Sequence, residues 1–248
     1  MADALWDNEI SRWIIGKIPV LDDRSQYRAD NSVRFALWAK EFREASPPIA
    51  SFCALHAVEE AVAAFISAAK TCGHRERAKI VNIHDHLSKA LVSIFAARAS
   101  LAANQGRLAI AVHPDGQSLA YRLPKGDGYA YNRLHLSVFH VDFDGTSEAG
   151  DRNLLGQVPL LDDIEAEVKR VADARNGVLY ASDAGSPIGF LDLETEVNRA
   201  TSLCLGLIWG SVDLHLDPAQ GGAFVQMILD KMIDLNTARI KPKKSDLN

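Results

Sequence analysis

The sequence predicts a mainly helical globule with a small strand-rich insertion, and three observations carry that reading. Apolar residues recur at helical spacing over long stretches, above all over 47–71 and 75–103. Proline and glycine punctuate those stretches where helices start and stop. Residues 107–145 differ, with short β-prone runs set between turn residues. A chain of 248 residues, 48% hydrophobic and 24% charged, can bury one sizeable core, so 1–248 reads as a single helical domain.

The elements follow in order. Asp30 or Asn31 caps a helix running through Phe35, Leu37, Trp38 and Phe42. Ser46-Pro47-Pro48 stops it, because proline lacks the amide that would continue the ladder. The same prolines open the next helix, which is alanine-rich, runs to about Thr71 and ends at Gly73. A further helix is expected from about Arg75 to Ala103, closed by Gly106, and the short link makes the two an antiparallel hairpin. Leu108–Val112 and Ser118–Leu123 read as strands around the turn His113-Pro114-Asp115-Gly116, with a third strand at His135–Phe143. Helices are then expected over 161–176, from an Asp192 cap to about Gly210, and over Pro218–Asn236. Gly185, Pro187 and Gly189 mark a loop between the first two, and 238–248 reads as a flexible tail with solvated lysines.

Composition narrows the function classes. A net charge of -5 gives no general attraction to phosphate backbones, so a nucleic-acid partner requires a local basic patch. Cys53, Cys72 and Cys204 are odd in number and widely spaced, which fits reduced thiols in a cytoplasm. No membrane is expected as a partner. The best uninterrupted apolar run, Leu203–Val212, is too short for a span, and Asp3, Asp7 and Glu9 are wrong for a signal peptide. Neither a nucleophile elbow, a Walker loop nor a dinucleotide-binding glycine motif is present.

Misplaced polar residues on the predicted hairpin are the candidate chemistry. Phe52, Leu55, Val58, Val62, Phe65, Ile66 and Ala69 form one stripe, and Glu59 falls at its edge. On the second helix Ile80, Ile83, Leu87, Leu91 and Ile94 form a stripe with His84 at its edge, Arg77 two turns earlier on nearly the same face, and Arg98 within it. A buried carboxylate is costly unless paired, so Glu59, His84, Arg77 and Arg98 are expected to meet at the seam. Such a meeting either tunes a histidine for proton transfer or simply fixes helix packing. Asp85, His86 and Lys89 fall on the other face and read as solvated. His56, Glu59, Glu60, His84 and His86 offer a metal-site alternative, although the Glu-x-x-His order of bundle metal sites is reversed here and occurs once.

Three stretches together resemble the abortive-infection AbiV family of the HEPN superfamily: Ala54-Leu55-His56-Ala57-Val58-Glu59-Glu60-Ala61, then His84-Asp85-His86-Leu87-Ser88-Lys89, then Arg175-Asn176-Gly177-Val178-Leu179-Tyr180-Ala181-Ser182-Asp183. In the second, His86 and Lys89 fit that family's His-x-x-Lys spacing. The resemblance spans roughly 47–103 and 160–210, and the 107–145 insertion departs from it. It implies a HEPN-like helical bundle, a homodimer, and a metal-independent endoribonuclease of phage defence that uses no cofactor. Arginine and histidine would act on the ribose 2'-hydroxyl and the scissile phosphate. The residues carried over are Arg175, Asn176, Tyr180, His84, Glu59 and Arg77. Arg77 and His84 meet the family's Arg–His spacing, whereas Tyr180 stands where a histidine follows Arg175-Asn176. Residues 175–180 also read simply as a helix end capped by Gly177. RNA and a protein regulator are the partners so implied. The surplus of apolar residues at Leu203, Leu205, Leu207, Ile208 and Trp209 adds to the case for a homodimer. The alternatives left open are a non-catalytic regulatory or binding protein and a metal-dependent small-molecule enzyme.

Overall fold

The computed structural model describes residues 6–86, 88–90, 109–135, 166, 193–219, 225, 226, 229, 230, 233 and 237. Helix α1, Glu9–Lys17, was not anticipated from sequence; Asn8 caps it by accepting from the Ser11 amide at 2.8 Å. A 3-10 turn, Ile18–Val20, leads into α2, Asp23–Glu41. Here the expected start at Asp30 or Asn31 is corrected. The cap is Asp22, whose carboxylate accepts from the Ser25 amide and hydroxyl, and Asp30 and Asn31 lie mid-helix.

Helix α3, Pro47–Thr71, begins and ends where the prolines and Gly73 place it, and Gly73 takes φ 95°, the left-handed conformation that glycine reaches without strain. It is the central element, packing most extensively against α2 and then against α5, Leu193–Leu216. Alanines make that close approach workable: Ala57, Ala61, Ala63, Ala64, Ala68 and Ala69 are all fully buried. Phe65 and Ile66 fill the core with Cys204, Leu207, Leu214, Val225 and Leu229. By length and composition α3 could cross a membrane, contrary to the expectation from uninterrupted apolar runs, yet most of its apolar window is buried inside the protein.

The second hairpin helix departs furthest from expectation. Arg75–Ala78 forms a short helix, α4; residues 79–85 turn and bend, helix resumes at His86 and 88–90, and the rest of the expected helix, 91–103, lies outside the described residues. Side chains that bond to backbone cause the break. Asn82 Oδ1 accepts from the His84 amide at 3.0 Å, and Asp85 caps the new helix by accepting from the Ser88 amide at 3.2 Å and hydroxyl at 2.8 Å.

Strands β1, Ala109–Val112, β2, Leu119–Lys125, and β3, Gly128–Arg133, form an antiparallel sheet in sequence order. The first hairpin is as expected. Strand β3 was not anticipated; the two-residue turn at Gly126-Asp127 reverses the chain at once, with Gly126 at φ 58°. Of the strand expected over 135–143, His135 is outside any strand and 136–143 lie outside the described residues. Leu119 and Leu134 join a second core cluster with Ile14, Ile18, Ile208 and Val212, and Trp13 Nε1 donates to the Gly116 carbonyl at 2.9 Å. The sheet is thereby anchored on α1 and α5. The helix expected to end near Gly210 continues to Leu216. The loop at 185–189, the tail 238–248 and, apart from helical Ala166, the helix predicted over 161–176 lie outside the described residues.

Candidate functional site

Helix α3 presents Glu59 toward the chain that follows the 79–85 break. Its side chain is 14% exposed and three nitrogen-bearing groups surround it. His86 Nδ1 lies 2.8 Å from Oε1, and Lys89 Nζ and His56 Nδ1 lie 3.6 and 3.9 Å from Oε2. The Asp85 cap makes this convergence: His86 and Lys89 are three residues apart on the new helix, so both reach the same side. His56, one turn before Glu59, is wedged between aromatic rings, 5.2 Å from Phe35 and 4.3 Å from Phe52 by centroid. The adjacent Glu60 points elsewhere and pairs with Arg28 at 3.4 Å.

These contacts correct the expected constellation. His84 is exposed and does not meet Glu59. Arg77 pairs instead with Asp230, Nε to Oδ1 2.6 Å, at the protein surface. His86 and Lys89, expected to be solvated, are the residues that engage Glu59, and Lys89 is buried. The helical wheel failed because it was drawn through a segment that is not one helix. Arg98, Arg175, Asn176 and Tyr180 lie outside the described residues.

A carboxylate can only accept, so His86 Nδ1 carries the proton in the bond to Glu59. In the neutral ring that bond fixes the tautomer, with Nε2 as the nitrogen that carries a lone pair. The ring is 46% exposed, so it stands at the rim while Glu59 and Lys89 lie behind it. An imidazole oriented by a largely buried carboxylate can pass a proton to and from a bound molecule. Among the described residues no group of three or more His, Cys, Asp or Glu is placed to hold a metal ion.

Two further His–Asp pairs, which the sequence reading did not single out, lie near the C-terminal end of α5. His135 Nδ1 is 3.2 Å from Asp213 Oδ1, and His215 Nε2 is 3.2 Å from Asp22 Oδ2. The available signal was Asp213 and His215 alternating with Val212 and Leu214 at the end of an apolar run. Burial works to raise the Asp22 carboxyl, but the Ser25 hydroxyl and amide, the His215 charge and Thr71 hold it below its ordinary value. Asp213 is buried and belongs to the wall between α5 and the segment after β3. Neither pair contacts Glu59.

The three cysteines are free. Burial pushes the Cys204 thiol up to about 12 and, with the Asp22 charge, the Cys72 thiol up to about 11, which makes both poor nucleophiles. In α5, Leu205, Leu207 and Ile208 are buried within this chain, while Leu203 and Trp209 pack on the core, so the apolar surplus is used internally. No family model, curated protein or solved structure matches the chain.

Proposed function

We propose that this chain is a HEPN-like protein of phage defence, cytoplasmic and homodimeric, that cleaves RNA without a metal. The observation that carries the reading is the His86–Glu59 hydrogen bond with Lys89 behind it. It joins the Glu-Glu stretch and the His-x-x-Lys stretch, two of the three on which the resemblance rests. His86 replaces His84 as the proton-transfer residue. Its Nε2 accepts the proton of a ribose 2'-hydroxyl as that oxygen attacks phosphorus. The bond to the 5'-oxygen breaks, and that oxygen takes up a proton from water as it leaves. Glu59 holds the imidazole in place and stabilises its charged form during the transfer. Arg175, through the resemblance, supplies the cation for the developing phosphate charge, with Asn176 and Tyr180 as hydrogen-bonding neighbours.

The test is cleavage of bulk RNA by the purified chain with and without chelator. Activity should persist in chelator and fall about 100-fold or more in His86→Gln, the ordinary contribution of a general acid–base group. Arg175→Ala should also abolish it, whereas His84→Gln should retain it. Full activity in folded His86→Gln removes His86 from the mechanism.

A second reading is a non-catalytic HEPN-like regulatory or binding protein. It is favoured by the closure of the cluster: Glu59 and Lys89 are mostly buried and neutralise each other. A failure to cleave any RNA in that assay would support this reading.

A further inference from the structure

A second polar region lies at the C-terminal end of α3, beyond the mid-helix Glu59. An open cavity of about 600 Å³ lies between the start of α2 and the end of α3. Its charged lining is Arg24, Lys70, Arg75 and Asp22, with Ser67 and Thr71 between them. Three cations thus face one carboxylate, in a chain whose overall charge is -5. That carboxylate is already committed: Asp22 accepts from the Ser25 hydroxyl at 2.6 Å and lies 3.2 Å from His215. Among the described residues, Arg24, Lys70 and Arg75 have no ion-pair partner.

We infer that this cavity is a phosphate-binding site, with Arg24, Lys70 and Arg75 neutralising the phosphate oxygens. Three positive groups around one hollow repel one another, and an anion in the hollow relieves that repulsion. Lys70 also feels the neighbouring cations. Burial, then the charges of Arg24 and Arg28, push its ammonium below the ordinary lysine value. Arg28 itself is already paired with Glu60, so it adds to the field more than to the binding. Arginine forks suit phosphate oxygens in pairs, and a lysine adds a point charge. The cavity holds a phosphate group whether it is free or part of a nucleic-acid strand. The inference does not rest on cleavage at His86, because binding is read without turnover.

The experiment uses the full chain, titrated with inorganic pyrophosphate by calorimetry and with a labelled single-stranded RNA by fluorescence anisotropy. Arg24→Gln and Arg75→Gln change exposed side chains and preserve the fold. Each should weaken binding about tenfold, and Lys70→Gln should do the same where Lys70→Arg does not. Arg133→Gln, which removes an exposed cation paired with Asp115 on the sheet, should leave binding unchanged. Pyrophosphate that displaces the RNA places a phosphodiester in the cavity. Pyrophosphate that binds without displacing RNA assigns the cavity to a free phosphate group. Two results overturn the inference: no saturable binding of either probe, or equal weakening by Arg133→Gln and Arg24→Gln.

Discussion

Residues 47–71 and 75–90 look alike as apolar patterns but fold differently. The first is one unbroken helix; the second is a short helix, a bend and a new helix. Alanine dominates the first, and its polar residues project without bonding to nearby backbone in a way that stops the helix. Ser67 shows the contrast, because its hydroxyl donates back to the Ala63 carbonyl four residues earlier and leaves the helix intact. In the second, Asn82 and Asp85 accept from amides two and three residues ahead, and each bond substitutes for a helical one. A few side-chain acceptors therefore outweigh a good apolar period. They also decide which histidine faces inward, and so the identity of the candidate site.

The largest expected effect lies in the unbroken helix. Ile66 is fully buried in the main cluster, so Ile66→Ala should cost about 4 kcal/mol through lost contacts and a residual cavity. Ile80, in the broken segment, is 54% exposed, and Ile80→Ala should change stability by less than about 0.5 kcal/mol. Denaturant unfolding of the two variants measures the difference directly. Similar losses would mean that 79–85 is packed as tightly as α3, against the comparison drawn here.

Next comes the ion pair that the break creates. Lys89→Ala leaves the Glu59 carboxylate in a largely buried place with less positive charge beside it, and should cost about 3 kcal/mol. Replacing both, as Glu59→Gln with Lys89→Met, should recover much of that loss, since a neutral pair carries no desolvation penalty. A double variant as unstable as Lys89→Ala alone would show that the two residues do not act on each other.

These comparisons also define what was legible in the sequence. Helix α3 was legible because its boundaries are set locally, by Pro47, Pro48 and Gly73, and its interior by alanine. The first β-hairpin was legible through its turn, where Gly116 takes φ 68°. Glu59 was found because an acid at the edge of an apolar stripe demands a partner. Its partners were misassigned because facing depends on continuous helix, and Asn82 and Asp85 had not been read as breakers. Helix α1 was missed because its pattern is short, and Asp22–His215 because 193 residues separate the two in sequence.

A smaller effect tests the cause of the break itself. Asp85→Ala removes the acceptor for the Ser88 amide and hydroxyl and should cost about 1 kcal/mol, the usual value of a lost cap. The more informative reading is hydrogen exchange at residues 86–90, where faster exchange is expected. The contact from His86 to Glu59 should loosen with it, so any cleavage that depends on His86 should fall in parallel. Unchanged exchange would show that tertiary packing, by Lys89 and Ala90, holds this helix start without its cap.

The smallest expected effect is one of pH, at the entrance to the broken segment. His74 precedes α4 and is buried; burial first, and the Arg77 charge second, push its imidazole below the ordinary histidine value of 6.5. The folded protein therefore resists protonating a group that the unfolded chain protonates readily. As pH falls through 6.5 the unfolded chain binds its proton first, and stability declines until the lower folded value is passed; below that the loss is constant. Above 6.5 the ring is neutral in both states and contributes no pH dependence. Thermal unfolding of the wild type and of His74→Gln at pH 7.5 and at pH 5.5 isolates this contribution. The wild type should lose more on acidification than the variant, because glutamine does not titrate. Added salt should reduce the difference only in part, since burial is the larger cause and screening acts on the Arg77 charge alone. A difference that salt removes entirely would make Arg77 the main source of the shift and His74 in effect a surface residue. The second segment would then be more open at its entrance than its burial implies.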